Sequence, residues 1–322
     1  MRPDAPSIVP GPPVAVHNLL TVPELAGELR VVAGDEGLDR PLTHPRMQKS
    51  GLGLAGYLPG IVATRVQILG ETELGYFAAL PADVRNANLD ALFSLSLSCV
   101  VVTRGIGVPD EILRVGDRTG TPILLAQTRS SSCIALLHTA LDRLLAPRQA
   151  LHGVMVEVHG VGILLTGPSG IGKSECALFL VERGHRLVAD DRVELMRLPG
   201  DIIHGAPAPL LKHHLEIRGL GILNIRDLFG ATAVREEARL DLVIDLVRAD
   251  DPREVDRLGL DQETRDVLGV EIPLARIPVH PGRDMGVLLE VAARNHLLKS
   301  SGNDAARRFV ERLARGTGSA EP

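Results

Sequence analysis

The sequence predicts two α/β domains, and three observations lead to this prediction. At 322 residues the chain is longer than one hydrophobic core normally serves. Short β-rich runs alternate with helical runs in the first half, which is typical of a mainly parallel sheet. In the second half a strand, a glycine-rich loop and a helix follow one another. Pro147 separates the halves, because a proline tends to end the helix that precedes it.

We therefore expect an N-terminal α/β domain of Rossmann-like character at residues 16–146 and a second α/β domain, which carries the glycine-rich loop, at residues 147–316. Residues 1–15 contain five prolines and are expected to form a disordered tail, and residues 317–322 form a second tail. The sequence leaves the role of the N-terminal domain open.

The composition excludes several classes of protein. An apolar share of 45 % with 23 % charged residues is typical of a soluble globular chain. The net charge of -5 argues against binding to a nucleic-acid backbone. The longest apolar run, residues 95–102, is too short to span a bilayer. Three cysteines without metal-ligand spacing favour reduced thiols, so we expect a cytoplasmic protein. From the net charge and the short apolar run we expect neither nucleic-acid nor membrane partners.

In the first half, apolar and β-branched runs predict strands and intervening runs predict helices. The expected strands are Ile61–Val62, Val66–Leu69, Cys99–Val102 and Ile123–Leu125, and the expected helices are Glu71–Leu80, Pro109–Asp117 and Ser130–Leu145. In the second half, Val154–Val158 is expected to form a hairpin that turns at His159-Gly160. The returning strand, Gly162–Thr166, runs directly into the glycine-rich loop.

The loop matches the phosphate-binding pattern G-x-x-x-x-G-K-[ST] between a strand and a helix. Its residues are Gly167, Pro168, Ser169, Gly170, Ile171, Gly172, Lys173 and Ser174. Glycines let backbone N–H groups converge on phosphate oxygens, and the helix N-terminus adds partial positive charge. Lys173 is expected to bridge the outer phosphates and Ser174 to bind Mg²⁺. The loop does not specify the acceptor, since GTPases, motors and small-molecule kinases share it.

Two adjacent acids, Asp190 and Asp191, follow the strand that begins at Arg186. An isolated pair of this kind is more often a solvated turn. After a strand beside a phosphate loop, however, carboxylates point into the ligand crevice. There they can serve as the base that takes a proton from an attacking hydroxyl and as metal ligands. Glu216 precedes two glycines, which indicates a tight loop.

Five motifs occur in one order along the chain: His152-Gly153, the phosphate loop, Arg186 to Asp191, Leu215 to Gly221, and Ile277 to Arg283. Together they resemble the bacterial HPr kinase/phosphorylase family, from about residue 17 to 315. The resemblance implies a C-terminal P-loop kinase domain similar to phosphoenolpyruvate carboxykinase. It also implies Mg²⁺-dependent transfer from ATP or pyrophosphate to a serine of the phosphocarrier HPr, and reversal with inorganic phosphate to give pyrophosphate. Regulation of carbon metabolism and a homohexamer are implied as well.

The resemblance assigns roles to residues of this chain. The implied catalytic set is His152, Lys173, Asp191 and Arg257, the implied metal ligands are Ser174 and Glu216, and Asp190, Arg218, His280, Gly282 and Arg283 belong to the surrounding motifs. The segment around Glu216 and Arg218 resembles the part used in both directions, and the late loop with His280 resembles the part used in dephosphorylation.

Two positions depart from the family pattern. Pro168 stands where Asp is common, at a point before the converging N–H groups. His280 stands where we expect lysine, and a mostly neutral imidazole predicts weaker or more pH-sensitive phosphorolysis. Two alternatives stay open: a P-loop kinase for a small metabolite, and a nucleotide-sensing regulatory module with a vestigial ATPase.

Overall fold

The computed structural model describes residues 11–105, 107–249, 263–280, 282–304 and 308. Two compact units divide the chain, one up to Pro147 and one from Arg148. No helix in the described part of the chain has both the length and the apolar character needed to cross a membrane. Each unit is a mixed α/β structure with its own hydrophobic core.

The first unit is built from short strands and helices that alternate along the chain. The strands are β1 Val14–Ala15, β2 Leu29–Ala33, β3 Pro41–Leu42, β4 Gln48–Lys49, β5 Val66–Leu69, β6 Cys99–Val102 and β7 Ile123–Ala126. The α-helices are α1 Gly51–Leu54, α2 Glu71–Ala79, α3 Ala82–Phe93, α4 Asp110–Thr119 and α5 Ser130–Leu144. Strands β4, β5, β6 and β7 pair in parallel, and β2 adds an antiparallel edge to give the order β2-β7-β6-β5-β4. The predicted mainly parallel sheet is confirmed.

The predicted strand at Ile61–Val62 is wrong. These residues precede β5 without joining the sheet. Side chains satisfy the backbone of Val62 instead: Gln48 Oε1 accepts from its N–H at 3.0 Å, and Gln67 Nε2 donates to its carbonyl at 2.9 Å. At the N-terminus, β1 already pairs with β3, so residues 14 and 15 of the expected tail are ordered in a strand.

The second unit carries the phosphate loop. Its strands are β8 Arg148–His152, β9 Val154–Val158, β10 Val161–Thr166, β11 Arg186–Ala189, β12 Arg192–Leu198, β13 Ile202–Pro207, β14 His214–Ile217, β15 Gly221–Asn224, β16 Ala238–Arg239, β17 Leu242–Arg248, β18 Thr264–Val267 and β19 Val270–Val279. The α-helices are α6 Lys173–Glu182, α7 Ile225–Phe229 and α8 Met285–Ser300.

Strand β10, which ends in the phosphate loop, lies inside a sheet of order β11-β9-β10-β17-β19-β18. It pairs in parallel with β17, and β17 pairs in parallel with β19. Their carboxyl ends therefore meet at one edge, where α/β proteins bind ligands. On the other side, β9 and β10 form the predicted hairpin. All six residues of β10 are buried, which fixes the origin of the loop firmly in the core.

A second, antiparallel sheet has the order β16-β13-β12-β8. Two chain segments pass from one sheet into the other. Strand β8 of the second sheet continues as β9 of the first, and β11 of the first continues as β12 of the second. Strands β9 and β11 pair in the first sheet, and β8 and β12 pair in the second. The crossing points are Gly153 on one chain segment and Asp190-Asp191 on the other. A hydrogen bond from Gly153 N to the Asp191 carbonyl, 3.1 Å long, joins the two crossings.

Helix α8 is tied to the phosphate-loop helix by a partly buried ion-pair network. Glu290 accepts from Arg183 Nε at 2.8 Å and Arg183 Nη2 at 2.9 Å, and its Oε1 lies 2.9 Å from His185 Nε2. Hydrogen bonds from Arg183 and His185 lower the pKa of Glu290 to about 2. The carboxylate therefore holds α8 against the end of α6 at neutral pH.

Candidate active site

The phosphate loop has a backbone that only glycine accommodates at its turning points. Gly167 has φ 134°, Gly170 has φ 78° and Gly172 has φ 101°. A side chain at Gly167 would also collide with the Leu246 carbonyl of β17. These positive φ angles are rare for residues with a Cβ. They allow the loop to turn tightly between β10 and α6, and a loop of this kind can present its N–H groups to an anion.

Lys173 opens α6 and is buried, with 7 % of its surface exposed. Its ammonium donates to the carbonyl oxygens of Gly167 at 3.0 Å and Pro168 at 3.1 Å. The charge is therefore held directly over the loop, beside the helix N-terminus. Both features favour an anion at this point.

Asp190 connects three elements of the site. It is 5 % exposed, and its two oxygens accept from the Ser174 hydroxyl at 3.0 Å and from Glu216 N at 2.9 Å. Burial raises the pKa of Asp190, and the hydrogen bonds from Glu216 and Ser174 oppose that rise. The carboxylate thus fixes both the loop serine and strand β14, which carries Glu216.

Asp191 takes the opposite orientation and faces solvent. Its φ is 64°, in the left-handed region, and this reversal sends its side chain away from that of Asp190. Asp191 Oδ1 lies 3.0 Å from His152 Nδ1, and both side chains are exposed, 63 % and 59 % respectively. The pairing of β8 with β12 explains this contact. His152 is the last residue of β8 and pairs with Arg192, which directly follows Asp191. The Asp191 carboxylate, with the His152 imidazole as its partner, is therefore accessible to a hydroxyl group of a substrate.

The hairpin β14–β15 brings two further residues to the loop. Glu216 pairs with Ile222 across the hairpin, and its side chain is exposed toward the cavity. The Arg218 guanidinium packs against Gly170, where one of its nitrogens lies only 2.8 Å from the position a Cβ would occupy. Leu215 and Ile217 alternate with Glu216 and are buried, so the core fixes the register of this hairpin.

These residues surround one cavity of about 140 Å³. Its described lining is His152, Gly153, Val154, Ser169, Gly170, Gly172, Lys173, Ser174, Glu175, Asp190, Asp191, Glu216 and Arg218. The structure therefore brings together residues from four of the five sequence motifs. The described lining offers one ammonium, one guanidinium, four carboxylates, two hydroxyls and one imidazole.

The fifth motif lies on another side of the loop. His280 lines a separate cavity with Ser169, Gly170 and Ile171. Gly282 has φ 79°, and Arg283 N donates to the His280 carbonyl at 3.2 Å, so the late loop is a tight turn. Arg257, the remaining predicted catalytic residue, lies outside the described residues.

The sequence analysis overlooked residues on the neighbouring strand β17. Asp245 Oδ1 accepts from the Thr166 hydroxyl at 3.0 Å, immediately before the loop begins. Arg248 ends the same strand and lines the cavity that contains His280. The signal was available, because Leu242 to Val247 is an apolar run broken only by Asp245, and polar residues at the carboxyl ends of parallel strands face ligands.

Comparisons with known proteins agree with the five motifs. The family model described as HPr Serine kinase N terminus matches residues 14–141, and HPr Serine kinase C-terminal domain matches residues 143–313. The HPr kinase/phosphorylase of Geobacter sulfurreducens is 44 % identical over 300 residues, 93 % of this chain and 94 % of that protein. The Bacillus cereus HPr kinase/phosphorylase is 44 % identical over 286 residues, 89 % and 93 % of the respective chains.

A solved structure, the Hpr(Ser) kinase/phosphatase from Coxiella burnetii, is 34 % identical and covers 50 % of this chain and 98 % of that one, with a TM-score of 0.45. The two family models together account for both units, and the relatives match across nearly their whole length. The chain belongs to the HPr kinase/phosphorylase family.

Proposed function

We propose that this enzyme transfers a phosphoryl group from ATP or pyrophosphate to a serine of the phosphocarrier HPr, and that it reverses the transfer with inorganic phosphate to give pyrophosphate. The observation that carries this proposal is the position of Asp191. Its exposed carboxylate, paired with His152, shares a cavity with the Lys173 ammonium of the phosphate loop. A proton acceptor and a phosphate cradle therefore face the same small space, open to a protein-borne hydroxyl.

In the forward direction, Asp191 takes the proton from the seryl hydroxyl as the seryl oxygen bonds to phosphorus. The bond between that phosphorus and the leaving ADP or phosphate oxygen breaks in the same displacement. In reverse, an oxygen of inorganic phosphate attacks the phosphoserine phosphorus, and the seryl oxygen leaves with the proton that Asp191 returns. One residue in both roles follows from microscopic reversibility. His152 holds the Asp191 carboxylate through their 3.0 Å contact.

Charge on the transferring group is matched by fixed cations. Lys173 donates to the loop carbonyls, and Arg218 packs on Gly170 in the lining of the same cavity. Arg257 is proposed as a further cation for the transferring group, on the resemblance of its motif alone. Preorganised charges of this kind stabilise the displacement because they need no rearrangement.

The oxygen donors suit Mg²⁺. Ser174 and Glu216 line the same cavity, and Asp190 accepts hydrogen bonds from the Ser174 hydroxyl and from the Glu216 backbone N–H. Mg²⁺ prefers hard oxygen ligands and is usually held by one or two carboxylates plus substrate phosphates. We propose Ser174 and Glu216 as its protein ligands. When bound, the ion would neutralise charge on the outer phosphates.

The test is incubation with HPr, Mg²⁺ and γ-labelled ATP, followed by mass spectrometry of HPr. We expect one phosphorylated serine, and its loss with pyrophosphate release when inorganic phosphate is added. Lys173→Ala is the matched control and should abolish transfer. Label on a small molecule instead would favour a metabolite kinase, and tight nucleotide binding without transfer would favour a nucleotide sensor.

We also propose a homohexamer that acts in the regulation of carbon metabolism. The resemblance to the family supports the assembly, and exposed apolar side chains on α8 are compatible with a subunit contact. These are Val287, Val291, Leu297 and Leu298. Light scattering of the purified full chain measures the mass, and a monomer at micromolar concentration would contradict the assembly.

A further inference from the structure

Three side chains that can bind a metal ion meet beyond the far end of the phosphate-loop helix. They are His159 in the β9–β10 turn, His185 just before β11, and Glu290 on α8. One ligand atom of each lies within 4.8 Å of those of the other two. Among the residues that the structure describes, no other group of three or more His, Cys, Asp or Glu side chains has this geometry. None of the three lines the phosphate cavity, so the cluster is distinct from the candidate active site.

The donor atoms of this cluster suit zinc. Two imidazoles and one carboxylate, completed by a water molecule, are a ligand set that Zn²⁺ takes in proteins. Mg²⁺ instead prefers oxygen ligands alone. The cluster and the oxygen donors proposed for Mg²⁺ therefore select different ions.

The spacing of the donor atoms is close to that of a zinc site. Bonds of about 2.0–2.1 Å in tetrahedral directions place neighbouring ligand atoms roughly 3.3 Å apart. His185 Nε2 and Glu290 Oε1 are already 2.9 Å apart, and their side chains are only 9 % and 13 % exposed. His159 is exposed at its turn, so its ring has room to close the remaining distance. Two ligands are thus preset by packing, and the third is free to adjust.

Hydrogen bonds at the cluster show which lone pairs an ion can use. The contact between His185 Nε2 and the Glu290 carboxylate contains a proton on the ring nitrogen, because an ionised carboxylate only accepts. Zinc takes the place of this proton, since an imidazole bound through Nε2 carries its hydrogen on Nδ1. Arg294 Nε donates to His159 Nε2 at 3.2 Å, so the His159 ring is already present as an acceptor.

Two arginines flank the cluster and act differently. Arg183 donates to both oxygens of Glu290, at 2.8 and 2.9 Å. This contact can remain when the ion is bound, because it orients the carboxylate as the outer partners of metal ligands do. Arg294 is exposed on α8 and turns toward solvent when His159 binds the ion. Because both arginines repel a cation, we expect micromolar rather than nanomolar affinity.

We propose that His159, His185 and Glu290 form a zinc site that braces the second unit. The ion joins the β9–β10 turn, the segment between α6 and β11, and helix α8. Since α6 begins in the phosphate loop, the brace lies behind the loop and leaves the catalytic cavity open. This site does not depend on the acceptor or the direction of phosphoryl transfer.

The test is binding of Zn²⁺ to the chelator-treated, full-length protein in excess Mg²⁺, followed by calorimetry and elemental analysis. The wild type should bind one Zn²⁺ per chain, and its unfolding temperature should rise by at least about 2 °C. His159→Asn is the decisive variant. His159 and Gly160 have φ angles of 52° and 81° in a two-residue hairpin turn, for which Asn-Gly is a preferred pair.

His159→Asn should therefore weaken zinc binding at least about tenfold, whereas the metal-free variant should unfold at or above the wild-type temperature. Glu290→Gln should weaken zinc binding by at least about the same factor. His17→Asn removes an exposed histidine of the first unit and is the matched control, with unchanged zinc affinity.

Three results would each overturn the proposal. The first is a wild type that binds no zinc at micromolar concentration. The second is equal zinc affinity in His159→Asn and the wild type. The third is displacement of the zinc by Mg²⁺, which would place the ion among oxygen donors instead. None of these assays contains HPr or a phosphoryl donor, so failure of the zinc site leaves the proposed function untouched.

Discussion

Asp191→Asn is the substitution that tests the proposed chemistry with the least structural disturbance. Asp191 has φ 64°, a left-handed conformation that asparagine adopts readily and alanine does not. The Asp191 and His152 side chains are both more than half exposed. Exposed pairs of this kind contribute between 0 and about 1 kcal/mol to stability. Asparagine should therefore keep the fold, whereas Asp191→Ala should cost about 1–2 kcal/mol from backbone conformation alone.

The effect on activity should be far larger than the effect on stability. Loss of a positioned general base costs about 100- to 10,000-fold in rate. Because we propose Asp191 as the base in the forward direction and the acid in reverse, both rates should fall together. Nucleotide affinity should stay constant, because Lys173 and the loop backbone are untouched.

The assays are labelled transfer from ATP to HPr, pyrophosphate release from seryl-phosphorylated HPr, calorimetric ADP binding and thermal unfolding. Asp191→Asn should unfold near the wild-type temperature and have both activities reduced at least about 100-fold. Full kinase activity in Asp191→Asn would refute the base assignment. A loss confined to one direction would refute the shared role of this carboxylate.

Four further substitutions have defined outcomes. His280→Lys should raise the rate of pyrophosphate release from seryl-phosphorylated HPr and flatten the pH profile of that rate near neutrality. An unchanged rate and profile would contradict the idea that the reverse reaction lacks a fixed positive charge at this position. Gly162→Ala places a Cβ against the Arg239 carbonyl within buried β10 and should destabilise the protein by about 3 kcal/mol. Gly75→Ala is the contrasting change, because it lies in open space on α2, and it should stabilise the protein by about 1 kcal/mol. Urea unfolding measures both effects. Glu290→Gln should remove a pH-dependent part of stability. Because the pKa of Glu290 is lowered from 4.5 to about 2, its contribution in the wild type is fully present above pH 4.5 and is lost as the pH falls toward about 2. Parallel unfolding-temperature profiles of the two proteins from pH 6 to pH 2 would contradict this.

The sequence was sufficient wherever a local pattern fixes the backbone. The phosphate loop, the β9–β10 hairpin and the parallel strands of the first unit follow from glycine spacing, turn residues and short apolar runs. Ile61–Val62 was predicted wrongly because apolar character does not reveal that Gln48 and Gln67 take the backbone groups a strand would use. Side-chain competition of this kind depends on residues brought together only by folding.

The division of labour between the two acids could not be derived from the chain. Asp190 and Asp191 are neighbours with the same chemistry, yet one is 5 % exposed and the other faces solvent. The difference comes from the left-handed turn at Asp191 and from donors on Ser174 and Glu216, of which Glu216 lies 26 residues away. Similarly, the position of Arg248 beside His280 depends on the parallel register of β17 and β19, which no local motif encodes.

The geometry of the site depends on a glycine as much as on its acids. Gly153 marks the point where the β8–β9 segment passes between sheets, and a Cβ there would lie 2.6 Å from the Leu165 carbonyl of β10. Its close approach lets the crossing lie against the strand that feeds the phosphate loop. The hydrogen bond from its N–H to the Asp191 carbonyl ties this crossing to the segment that carries Asp191, and the Asp191 and His152 side chains meet beside it at 3.0 Å. The proposed proton acceptor is thus positioned by backbone packing, and its side chain and that of His152 stay exposed, as a protein substrate would require.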